Sequence, residues 1–131
     1  MAVSIPFYTV DDLDRFPDDG NRYELLEGVL IVTPAPSNLH QVIATRLATY
    51  LMNGIGLKGD ARVVAPGVVV RPPGTQLEPD VLVYPARFTA ESRWTAITEH
   101  WLAVEIFSPS SKIYDREFKR GAYLTLGVKE V

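Results

Sequence analysis

Glu105 stands inside Leu102-Ala-Val-Glu-Ile-Phe107, a run whose other members are all apolar. Such a run belongs in the middle of a sheet covered on both faces. A carboxylate there has to be paired, hydrogen-bonded or bound to a cation, because stripping water from the charge is so costly. Asp80 stands at the mouth of a second short apolar strand, between Pro79 and Val81-Leu-Val-Tyr84. If the two strands are neighbours, the carboxylates converge, and such a pair binds a hard divalent cation through oxygen, typically magnesium. A cation so held polarises a phosphoryl oxygen and lowers the pKa of bound water, which is what phosphodiester hydrolysis requires.

Each of these residues also has a plainer reading. Glu105 could reach solvent from an edge strand or pair with an arginine, and Pro79-Asp80 is a common turn at a strand entrance. Lys119 follows Asp115 by one helical turn, the spacing of an exposed ion pair worth a few tenths of a kcal/mol. Glu24 alternates with Tyr23 and Leu25, as an outward-facing strand residue does, and His40 reads as a satisfied histidine at the border of a helix's apolar stripe. Gly54-Ile-Gly56-Leu-Lys-Gly59 matches the dinucleotide glycine pattern in letters only, since it follows a helix and leads to a strand. No Walker loop or Gly-x-Ser-x-Gly elbow occurs, and Ser108-Pro-Ser-Ser111 reads as a turn and helix cap.

The elements that must position these groups are short, cut by ten prolines and nine glycines. Thr9 with acids behind it opens a helix to about Phe16. Arg22–Leu26 and Val29–Thr33 read as a hairpin turning at Glu27-Gly28. Ser37 caps a helix to about Asn53, with Leu39, Ile43, Leu47, Tyr50 and Leu51 as its apolar stripe. Strands follow over about Ala61–Ala65, Val68–Arg71, Val81–Tyr84 and Trp101–Phe107, with a loop or short helix over Ala86–Glu99. A last helix runs from Ser111 or Asp115 to Leu126, and Val128–Val131 opens another strand. The order predicts an α/β (α+β) domain, a mixed sheet flanked by helices, with residues 1–131 as one domain.

Composition excludes several classes. At 131 residues the chain can bury a core without staples. With no cysteine, disulfide frameworks, thiolate zinc sites and cysteine nucleophiles are ruled out, and two histidines cannot build a zinc-protease helix. Net charge is −3, unlike a protein that coats nucleic acid, though compatible with an enzyme that touches phosphates locally. The N-terminus shows no basic-then-apolar pattern and no stretch reaches the roughly 18 apolar residues of a membrane span, so the expectation is a soluble, cytoplasmic protein with no membrane partner.

Taken together, Tyr23-Glu-Leu-Leu-Glu-Gly28, Thr33-Pro-Ala-Pro-Ser37 with His40, Glu78-Pro-Asp80-Val-Leu-Val, Val104-Glu-Ile-Phe-Ser-Pro-Ser110, Asp115-Arg-Glu-Phe-Lys119 with Ala122-Tyr, and Gly127-Val-Lys-Glu130 form an ordered set covering nearly the whole chain. The set resembles the Uma-two type of restriction-endonuclease family, which has the restriction-endonuclease-like fold of the PD-(D/E)xK nuclease superfamily. The resemblance implies a metal-dependent endonuclease acting on DNA, with Mg²⁺, or Mn²⁺ in its place, held by Asp80, Glu105 and the backbone carbonyl of Ile106. The superfamily lysine usually lies two residues past the second acid, where this chain has Phe107. In similar members it comes from the following helix, and Lys119 matches that position. Glu24 matches a family acid that reaches the same site, and Asp115 would stand behind Lys119. Family members continue past Gly-Val-x-Glu into a further strand, so the C-terminal strands look truncated, leaving an edge open to homodimer pairing. The rival expectation, prompted by the acidic charge and displaced lysine, is a nuclease-fold binding module without catalysis. A two-carboxylate glycosidase fits less well, for want of an aromatic-lined cleft.

Overall fold

The computed structural model describes residues 7–107 and 113–131, with side chains over 7–107 and 116–131. A short helix α1 (Val10–Leu13) precedes the hairpin β1 (Arg22–Leu26) and β2 (Val29–Thr33), both with the bounds expected from sequence. Glu27 and Gly28 take φ of 46° and 84°, the left-handed pair that a two-residue turn needs to match strand twist. Then come α2 (Asn38–Gly54), β3 (Ala61–Val64), β4 (Val69–Arg71), β5 (Thr75–Leu77), β6 (Val81–Pro85), β7 (Leu102–Val104) and α3 (Ile113–Thr125). Single 3-10 turns occupy Gly56–Lys58 and Trp94–Ala96.

The class is α+β, as expected, but the strands divide into two sheets, ordered β2-β1-β5-β4 and β3-β6-β7. All pairings within them are antiparallel. Among the described residues the parallel component is a single bridge from Leu102 to Glu130, in the segment expected to open a further strand. Two expectations are corrected. β5 falls in Thr75-Gln-Leu77, too short and polar to show a period in the sequence. β7 ends at Val104, so Glu105 stands just past the strand rather than within it.

β6 is buried along its whole length because each face meets a different layer. Val81 and Val83 pack with Ala61 and Val63 beneath Leu47, Ala48 and Leu51 of α2. Leu82 and Tyr84 face the opposite way, onto Val69 and Leu77 of the first sheet and Tyr123 of α3. The side of α2 that turns inward therefore runs through His40, Ala44, Leu47, Ala48 and Leu51, while Leu39, Ile43 and Tyr50 are exposed. Both stripes have helical spacing. The one with two alanines lets the helix lie close to the sheet, and it carries His40 inward. Ser37 caps α2 as expected, its Oγ accepting from the His40 N–H at 3.1 Å.

Candidate active site

Five elements bring the charged residues to one end of the β6–β7 pair. β6 and β7 run antiparallel with Val81 opposite Val104, so one further step of the same register sets Asp80 opposite Glu105. The Asp80 N–H donates to the Val104 carbonyl at 2.8 Å, which fixes that step. Arg22 and Glu24, two residues apart on β1, project from one face of their strand. Lys119 and Tyr123, four apart on α3, stack one turn above the other. His40 enters from the first turn of α2.

The contacts are direct. Lys119 Nζ donates to Glu24 Oε1 at 2.6 Å and to Glu105 Oε1 at 3.3 Å. The second oxygen of Glu24 accepts the Glu78 N–H at 2.7 Å, so this acid, 0% exposed, has both oxygens engaged. Tyr123 donates its hydroxyl to Glu105 Oε1. Asp80 Oδ2 accepts the Ile106 N–H at 2.7 Å, while Oδ1 faces Arg22 Nη2 at 2.6 Å and His40 Nε2 at 3.1 Å. Arg22 also approaches Glu105 Oε2 at 3.9 Å and Glu78 Oε2 at 3.8 Å. Asp80 Oδ1 and Glu105 Oε2 thus both face one guanidinium. Arg22, His40, Glu105, Ile106, Phe107 and Lys119 line a cavity of about 220 Å³. Asp80, Glu78 and Arg22 line a second, of about 260 Å³.

The cluster carries excess negative charge. Four carboxylates (Glu24, Glu78, Asp80 and Glu105) meet two permanent cations, Arg22 and Lys119. Burial pushes the Glu105 carboxyl above its ordinary value; Lys119 opposes that, Glu24 and Asp80 add to it, and the Tyr123 hydrogen bond opposes it. Glu78 is raised too, chiefly by burial, against the charge of Arg22. For Arg22, burial works against the charge, but the hydrogen bond and charge of Asp80, with the charges of Glu24 and Glu105, outweigh it and hold the guanidinium above its usual value. Tyr123 is raised by burial and by Glu105, so its hydroxyl remains a donor.

The structure therefore brings together Asp80, Glu105, Lys119 and Glu24, the four acid and lysine positions singled out in the sequence. Glu24 and Lys119 are not the outward-facing residues of their plainer readings. Ile106 engages Asp80 through its N–H. The expected partnership of Asp115 with Lys119 and the reading of Ser108–Ser111 fall outside the described side chains. Arg22 and His40 were missed as members. Arg22 was signalled by sharing a strand face with Glu24, and His40 by the Ala44/Ala48 stripe that continues from it. Among the described residues no three His, Asp or Glu side chains gather as a metal-binding group. The donor set expected from the sequence is smaller, two carboxylates and a main-chain oxygen. Also among the described residues, no helix is long and apolar enough to cross a membrane.

No curated protein matches the chain. Among solved structures it is similar to a crystal structure from Anabaena variabilis, described as that of "a putative nuclease belonging to DUF820", with a TM-score of 0.66 and 17% sequence identity. The likeness covers 90% of this chain and 66% of that one, just under two-thirds of its length, and it establishes the shared restriction-endonuclease-like fold. The family described as "Putative restriction endonuclease", Uma2, matches residues 10–131, nearly the whole chain and every element that shapes the charged cleft, and the chain belongs to that nuclease family.

Proposed function

We propose that the chain is a divalent-metal-dependent endonuclease that hydrolyses DNA phosphodiester bonds, with Asp80, Glu105 and Lys119 at its centre. The observation that supports this most is the meeting of these three groups, from the start of β6, the end of β7 and the middle of α3, in one nearly water-excluded cluster. The donor chemistry fits a hard cation. Asp80 Oδ1 and Glu105 Oε2 already face a common positive charge, and the four carboxylates of the cluster outnumber its two permanent cations.

Asp80, Glu105 and the Ile106 carbonyl would hold Mg²⁺ or Mn²⁺. Such an ion supplies Lewis-acid polarisation of a phosphoryl oxygen and a water of lowered pKa. The protein's own residues do the rest. Among the described residues, Lys119 commits two of its three N–H donors, to Glu24 and Glu105, and the third would serve a phosphate oxygen or the attacking water. Because Glu24 pins the ammonium, it needs no reorganisation as charge develops on the phosphoryl group. The Ile106 N–H orients the Asp80 carboxylate, and Tyr123 orients that of Glu105. Arg116, against the Phe107 ring, and Arg120 flank Lys119 on a neighbouring cavity and offer positive charge to the DNA backbone, offsetting the acidic net charge locally.

The test is cleavage of supercoiled plasmid in Mg²⁺ or Mn²⁺, by wild type and by Asp80→Asn. Nicking or linearisation that needs the ion and disappears in the variant is expected. Ion-dependent cleavage that survives Asp80→Asn refutes the assignment. Intact plasmid that the wild type nonetheless binds points to a nuclease-fold binding module.

A further inference from the structure

Asp80 and Glu105 each use one oxygen for a fixed local donor, the Ile106 N–H and the Tyr123 hydroxyl respectively. The remaining oxygen of each faces Arg22, whose side chain is 17% exposed and stands between the two cavities, lining both. We propose that Arg22 is a built-in competitor for the divalent cation: its guanidinium holds the Asp80 and Glu105 carboxylates in the metal-free protein, and the ion enters by displacing it. This rests on the functional reading above and deepens it.

Space makes the two cations exclusive. A metal ion sits roughly 2.0–2.1 Å from its oxygen ligands. Arg22 Nη2 already lies 2.6 Å from Asp80 Oδ1, the oxygen such an ion would take. Chemistry makes the guanidinium a suitable placeholder, because it is planar, weakly hydrated and always charged, so it tolerates a half-buried position among carboxylates. Lys119 is not an equivalent competitor. It is pinned by Glu24 on the far side of Glu105, and it bonds Oε1 rather than the Oε2 that faces Arg22. If the competent state is only fractionally populated, the apparent metal affinity falls by that fraction. Releasing a charge-assisted hydrogen bond therefore lowers apparent affinity on the order of 10- to 100-fold.

The experiment is calorimetric titration of Mn²⁺, without DNA and at one fixed pH, into wild type, Arg22→Gln, Arg22→Lys and Asp80→Asn. Arg22→Gln is expected to bind on the order of 10- to 100-fold more tightly than wild type, with Arg22→Lys between them. Arg22→Gln should also melt earlier than wild type without metal and recover most of the difference at saturating Mn²⁺. In the unmutated protein, the ¹⁵N resonance of the Arg22 Nε–H should move on titration with Mg²⁺ and level off as the site saturates, so the test does not depend on any variant folding. Mn²⁺ affinity that needs Asp80 but is equal or weaker in both Arg22 variants, with an unmoved Arg22 resonance, overturns this inference and leaves the nuclease reading standing. Binding that ignores Asp80→Asn, or no binding by wild type and Arg22→Gln alike, overturns both.

Discussion

Removing the Lys119 ammonium should destabilise the protein far more than a surface lysine would. Its side chain is 11% exposed, and it bonds Glu24, whose side chain is wholly buried, and Glu105. Lys119→Met keeps most of the stem's volume and leaves Glu24 with one hydrogen bond, from the Glu78 N–H, for a full buried charge. Breaking a buried pair from one side costs about 3–5 kcal/mol, a large share of the roughly 5–15 kcal/mol that holds a domain together. Adding Glu24→Gln to Lys119→Met removes the stranded charge and keeps an acceptor for the Glu78 N–H, so the double variant should regain about 2 kcal/mol. The sign of the pH effect follows from Glu105. Burial raises its carboxyl above the ordinary value and Lys119 is the main opposing influence, so losing Lys119 raises it further. A raised folded-state value contributes stability below the unfolded value that is lost as pH climbs through the folded one, so the Lys119→Met deficit should be smaller at about pH 5 than at about pH 8. Urea unfolding in EDTA, followed by tryptophan fluorescence, measures all of this. A Lys119→Met variant within about 1 kcal/mol of wild type, or a double variant no better than the single, refutes the picture of a buried, mutually dependent pair.

Two other perturbations test the scaffold. His100 is 5% exposed, its Nε2 has no partner among the described residues, and burial holds its imidazole below the ordinary value. A depressed value contributes stability above about pH 6.5 that is lost as pH falls, at no more than about 1.4 kcal/mol per unit, so urea midpoints at two pH values should show a shallower loss in His100→Gln. A Cβ at Gly67 would overlap the fully buried Leu82, whereas one at Gly121 in α3 meets nothing within 4 Å. Thermal melts should therefore show Gly67→Ala destabilised by about 1–3 kcal/mol and Gly121→Ala unchanged or stabilised by up to about 1 kcal/mol.

The parts of this molecule that could be read from the chain are those whose signal is local. The β1–β2 hairpin announces itself through Glu27-Gly28, α2 through its Ser37 cap, and β6 through an unbroken apolar run. β5 could not be seen this way, because its three residues are held by pairing with β1 and β4 rather than by any pattern of their own. The division into two sheets is likewise decided by long-range pairing. On α2, two interleaved stripes satisfy the same period, and only the close approach to β3 and β6 selects the one with Ala44 and Ala48. Choosing the larger side chains as the core stripe put His40 on the margin, when it is the helix's contribution to the cleft.

The same distinction explains the acids. Asp80 and Glu105 stand out because they interrupt apolar sequence, but what makes them a pair is the Val81–Val104 register, which no composition reveals. Glu24 looks ordinary in an alternating strand and is in fact buried, and its burial has a structural cause in the displaced lysine. Phe107, at the usual lysine position, forms part of the cavity wall, so the ammonium has to come from α3 on a long, flexible side chain. A flexible cation is useful only if something fixes it, and Glu24 does so at 2.6 Å from β1 of the first sheet. Both its oxygens are engaged, one by Lys119 and the other by the Glu78 N–H. The acid on β1 and the ammonium on α3 therefore depend on each other for their burial, a long-range pairing that the alternating pattern around Glu24 does not reveal.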